Sequence, residues 1–178
     1  MDDFSNTQHF VAAILLIARL GDIGTTYLVS PKLKLEANPI VRRFKWPFAI
    51  LTIFLCLVPY WNIFAGIALI AAFLLVSASN STKIFIAQTM GEEAYYNFFL
   101  ELIGRAKPRV VSAWLILPAF FLSLLGYTIL HFYPDPETDY GYWFGFGIIM
   151  YAIVYILYTS LAFFRLRKLV KNGSHNVK

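Results

Sequence analysis

The chain has 178 residues, of which 59% are hydrophobic, 18% aromatic and only 14% charged, with a mean hydropathy of +0.64. A soluble domain carries about 25% charged and about 45 to 50% apolar residues, so the departure in both directions indicates a membrane protein. The net charge of +5 would elsewhere suggest nucleic acid, but in so apolar a chain basic residues mark cytoplasmic loops, and no nucleic-acid partner is expected.

Met1-Asp2-Asp3 is acidic where a secretory signal needs a positive start, so no cleaved signal is expected. Residues 9–29 are mostly apolar and long enough for a first span. After a polar stretch, Asn38-Pro39 supplies an N-cap followed by proline at the first helical position, which predicts a second span over about 39–58. The uncharged run from Pro47 to Ala78 would make a single helix about 48 Å long, well beyond a hydrocarbon core of about 30 Å. Pro59-Tyr60-Trp61-Asn62 therefore reads as a tight turn into a third span over about 62–79. Cys56, the single cysteine, falls in this apolar run and allows neither an intramolecular disulfide nor a cysteine-based metal site.

Thr89-Met90-Gly91-Glu92 matches a capping box and Gly104 a helix C-cap, which predicts a helix over about 90–103. Tyr95, Phe98, Phe99, Leu102 and Ile103 recur at helical spacing, so this is an amphipathic helix whose place is the cytoplasmic membrane surface. A fourth span follows over about 110–133, kinked at Pro118, then an acidic loop and a fifth span over about 140–164. Gly141, Gly145 and Gly147 give that last span a small-residue face for close packing. The fold class is thus all-α: a polytopic helical membrane protein with five transmembrane helices and one cytoplasmic amphipathic helix, in a single domain over 1–178. Five spans with the N-terminus outside put every Lys and Arg except Arg19 on one side, and Asp135, Glu137 and Asp139 on the other, whereas four spans split the basic clusters. This predicts a multi-pass cell-membrane protein with a cytoplasmic C-terminus. The sequons at Asn80 and Asn172 then lie on the cytoplasmic side, where no glycan is expected.

Within the first span, Arg19, Asp22, Thr25 and Thr26 share one face, and Arg19 can pair with Asp22 one turn on. An unpaired charge in a span costs about 2.5 to 3.5 kcal/mol, so these residues need partners inside the bundle. A loop that folds back can bring Glu36 and Asn38 beside Asp22, where two carboxylates and an amide suit a hard cation or a proton. Asp22 and Glu36 are thus the metal-ligand candidates. The plainer alternative is that Arg19 and Asp22 neutralise each other, with Glu36 favoured by the dipole of the helix it precedes.

Asp22-x-x-Thr25-Thr26 in a first span, with Glu36-x-Asn38-Pro39 opening the second, resembles a family of small bacterial and archaeal multi-span membrane proteins of unassigned function. The match covers about the first 80 residues and implies that these positions matter together, without supplying an activity. Two other likenesses fail. Gly21-Asp22-Ile23-Gly24-Thr25-Thr26 is similar to the phosphate loop of actin-like ATPases, which needs a strand hairpin. Glu92-Glu93 is similar to the paired glutamates of CAAX-type intramembrane proteases, but their following arginine and histidines are missing. His131 lacks a second ligand at useful spacing and reads as interfacial.

Three classes of function follow. The first is a non-catalytic subunit or scaffold of a membrane complex, with a protein partner or homo-oligomer in the bilayer and no cofactor. The second is a small ion-coupled transporter using Asp22. The third is a membrane enzyme acting on lipid or isoprenoid substrates through Asp22, Glu36 and Asn38. The scarcity of polar groups in the spans and the absence of a recognisable nucleophile favour the first.

Overall fold

The computed structural model describes residues 2–173, and among them the regular structure is all helical, without strands. The side chains of Asp2, Asp3 and Asn172, and all of Met1 and Lys178, lie outside the described residues. Six α-helices follow in order: α1 (Asp2–Val29), α2 (Pro39–Leu51), α3 (Ile63–Met90), α4 (Glu92–Arg105), α5 (Pro108–Phe132) and α6 (Tyr140–Gly173), with a 3₁₀ helix at Thr52–Tyr60. Four segments are long and apolar enough to cross a membrane: Ser5–Val29, Ile63–Met90, Pro108–Phe132 and Tyr140–Lys171, with mean hydropathies from 1.5 to 2.1. Helix α1 packs on α3, α3 on α6 and α6 on α5.

Segment 39–60 is not one regular helix. Its basic first part ends at Lys45, whose φ of 59° and ψ of −152° break the helical path just before Pro47. From Trp46 the chain runs back along α1. At one end the Trp46 indole N–H donates to the Pro31 carbonyl at 2.8 Å, and its ring packs edge-on against Tyr27. At the other, the Tyr60 hydroxyl lies 2.8 Å from His9 Nδ1. Between those levels α1 rises about 27 Å, and residues 46–60 cover nearly the same height because a 3₁₀ helix rises about 2.0 Å per residue against 1.5 Å for an α-helix. The stretched winding lets a short uncharged segment match a longer neighbour.

The turn at Pro59–Asn62 lies where its residues predict, and Asn62 caps α3 by accepting the Ala65 N–H at 3.0 Å. Helix α3 does not stop near residue 79. It continues through Ser79-Asn80-Ser81-Thr82 because Ser77, Ser81 and Thr82 bond back to the carbonyls of Phe73, Ser77 and Ser79, each at 2.8 Å, which keeps the polar run helical. The capping box does not form. Thr89 belongs to α3 and bonds Phe85 O at 2.7 Å, while Gly91, at φ 78°, makes the corner into α4. Gly104 is inside α4, which ends one residue later.

Only part of the expected face of α4 packs on the bundle. Tyr96, Phe99 and Leu100 pack with Ile103 on Val111, Phe163 and Leu166, whereas Phe98 and Leu102 are 42% and 47% exposed. Gly141, Gly145 and Gly147 of α6 meet different neighbours: Gly141 the Tyr133 ring, Gly145 the α5 residues Gly126 and Ile129, and Gly147 Ala68 of α3. At one end of the bundle lie the acidic loop Pro134–Asp139 and the Tyr60 turn. The other gathers the α1–α2 loop, α4, the start of α5 and the basic end of α6.

Candidate functional site

Arg19 and Asp22 are both buried, and they form a salt bridge one helical turn apart in α1. Arg19 also donates to Thr52 Oγ1 and to the Ala49 carbonyl, at 3.3 Å, so it ties α1 to segment 39–60. Its guanidinium sits 4.8 Å from the centroid of Phe73 in α3, a cation–π contact that offsets part of its lost hydration. Arg19 Nε is buried without a partner.

The other carboxylate oxygen of Asp22 accepts from the Thr26 hydroxyl at 3.4 Å, and that hydroxyl accepts from Asn80 of α3 at 2.9 Å. Thr25 instead bonds the Asp22 backbone carbonyl at 3.2 Å. Gly21 sits where a Cβ would be 3.2 Å from Ser77 Oγ, so α1 and α3 approach closely beside the network.

Glu36 and Asn38 have local work. The Asn38 side chain caps α2, accepting the N–H groups of Ile40 at 2.9 Å and Val41 at 3.4 Å. Glu36 accepts the Asn38 N–H at 2.7 Å. Burial pushes the Glu36 carboxyl above its usual range; the Asp22 charge adds to this, while the N–H groups of Asn38 and Ala37 and the Lys83 ammonium act against it. Glu36 thus feels Asp22 electrostatically without sharing a hydrogen bond with it. Among the described residues, no group of three or more His, Cys, Asp or Glu side chains converges as a metal site.

Three of the partners, Thr52, Phe73 and Asn80, come from other elements and carried no periodic signal in the sequence. Asn80 does stand in a polar run at the end of an apolar helix, which is a usable cue. A second polar centre also went unread: Glu92 accepts from Ser30 Oγ and from the N–H groups of Lys32 at 2.9 Å and Lys34 at 3.0 Å, while Lys34 pairs with Glu93. Leu33, buried at φ 57°, shapes the loop so that these donors face α4. Glu92 thereby staples the α1–α2 loop to α4.

No family model matches the chain, and no curated protein or solved structure matches it.

Proposed function

We propose that the protein is a five-crossing integral membrane scaffold or non-catalytic subunit, with residues 46–60 as its second crossing and the basic end in the cytoplasm. The observation that carries this reading is the Arg19 grip on Asp22, Thr52 and the Ala49 carbonyl. The most polar group in the spans joins two crossings to each other. Asn38 and Glu36, which a transporter or metal enzyme would direct at Asp22, instead hold the start of α2. The D-x-x-T-T and E-x-N-P positions then matter together as the seam between the first two crossings. Opposite charge at the two ends of the bundle supports the orientation.

Purification at native expression in mild detergent tests the reading. A stoichiometric protein companion or a defined homo-oligomer is the expected result. A monomer whose deletion phenotype is rescued by the wild type but not by stably folded Asp22→Asn or Glu36→Gln variants would overturn it in favour of a transporter or enzyme.

A further inference from the structure

Two clefts lie at the basic end of the bundle. One, of about 260 Å³, is lined by Phe164, Arg167, Lys168 and Lys171 near the end of α6. The other, of about 520 Å³, is lined by Lys107, Pro108, Arg109 and Val110 where α5 begins. Both flank the packed cluster of Ile103, Val111, Phe163 and Leu166, which sets them at the same level.

Charge at this corner is unbalanced. Arg105 is paired with Glu101, but the sequence has no other Asp or Glu from Leu102 to Pro134 or from Tyr140 to its last residue. Long cationic side chains at helix ends often do no more than extend to the headgroups. One feature goes further here: Arg167 is held with its guanidinium 5.7 Å from the centroid of the Phe163 ring, which fixes it beside the first cleft. Phe164 and Val110, 66% and 61% exposed, add an apolar wall to each cleft. A soluble anion has no use for such walls, whereas a phospholipid fits both chemistries: its phosphate oxygens take charge-assisted bonds from arginine and lysine, and its acyl chain lies along the apolar side.

We propose that these clefts form a binding site for an anionic phospholipid, with the phosphate on Arg167 and Lys168 of the first and the acyl chains against Phe164 and along the apolar second cleft beside Val110. The site goes beyond the scaffold reading and needs only that this end of the bundle meets a leaflet.

The full-length protein is incorporated in nanodiscs of phosphatidylcholine with a minority of phosphatidylglycerol, and retained lipids are counted by native mass spectrometry alongside thermal unfolding. Preferential retention of phosphatidylglycerol and a higher Tm than in pure phosphatidylcholine are expected. The pair Arg167→Gln with Lys168→Gln should weaken that preference more than tenfold, since one cation near the surface is worth about a fivefold factor. Arg42→Gln with Arg43→Gln removes equal charge outside the clefts and should leave the preference intact. If a double variant unfolds in pure phosphatidylcholine, Lys168→Gln alone gives the reading. Equal losses in the control pair, no preference in the wild type, or equal stabilisation by soluble glycerol phosphate would each overturn the site while leaving the scaffold reading untouched.

Discussion

Gly126 of α5 and Gly145 of α6 face each other so closely that a Cβ on the first would lie 2.7 Å from the Gly145 carbonyl oxygen, and a Cβ on the second 2.9 Å from that of Gly126. Lipid tails are as apolar as leucine, so helices in a bilayer gain from packing their backbones closely rather than from leaving water. Neither backbone can retreat without parting the hairpin. Gly126→Ala and Gly145→Ala should each destabilise by about 1 to 3 kcal/mol, the usual result of overfilling a packed contact. Gly24 has nothing within 4 Å of its Cβ position, so Gly24→Ala should be neutral or stabilise by about 0.5 to 1 kcal/mol through helix propensity. Thermal unfolding of the three variants checks this; equal losses in all would contradict the packing argument.

The Arg19 and Asp22 pair invites a double-mutant cycle. Asp22→Leu alone strands a buried guanidinium and should lose about 3 to 5 kcal/mol. Adding Arg19→Leu should restore most of this, because Thr52 keeps its own bond to the Ala49 carbonyl and Thr26 keeps Asn80. A double variant no more stable than Asp22→Leu would mean that the Arg19 bonds to Thr52 and the Ala49 carbonyl, rather than its pairing with Asp22, dominate its contribution.

The pair could be read from the sequence because both partners sit on one helix, one turn apart. Asn38 was legible for the same reason: a cap acts on residues two or three positions away. Contacts between elements were not. The Thr89-x-x-Glu92 pattern is correct locally, yet Glu92 finds better donors in a loop some sixty residues earlier. The polar run after residue 78 looks like a loop and stays helical because its hydroxyls satisfy their own backbone. The 3₁₀ winding of residues 52–60 has no sequence signature, since it answers the length of α1 beside it. Which residues of α4 pack inward depends on where α5 and α6 stand.

Glu92 and Glu36 should give opposite pH signatures. Partial burial raises the Glu92 carboxyl, but the donors from Ser30, Lys32 and Lys34 and the Lys34 ammonium outweigh it and hold the folded value below the ordinary 4.5. Its stabilisation is therefore fully present above about pH 4.5 and is lost as pH falls through the folded value. Glu36 is raised, mainly by burial, so its ionisation weakens the fold: the penalty is absent below the ordinary value of 4.5, grows as pH rises and is complete above the folded value. At pH 7, Glu92→Gln should lower stability by about 1 kcal/mol. Glu36→Gln keeps an acceptor for the Asn38 N–H and should leave stability equal or higher. Both differences should shrink on acidification in a pH series of melting temperatures. A Glu92→Gln deficit that persists well below pH 4 would show that shape rather than charge holds the loop.

The five-crossing reading rests on residues 46–60 traversing the bilayer beside α1, and surface labelling can decide it. Tyr60 meets His9 at one end of α1, while Trp46 meets Pro31 at the other. If the segment crosses, exposed Asn62 belongs to the same compartment as Glu137 in the acidic loop, and Lys32 to the opposite one. Single cysteines at 62, 137 and 32, placed in a Cys56→Ser background to remove the native thiol, can be exposed to an impermeant maleimide on intact cells. Labelling at 62 and 137 before permeabilisation, and at 32 only afterwards, is the expected pattern. The reverse at all three would keep five crossings and invert the orientation. Should 32 label together with both 62 and 137, segment 46–60 would not cross, and the second crossing would have to be abandoned.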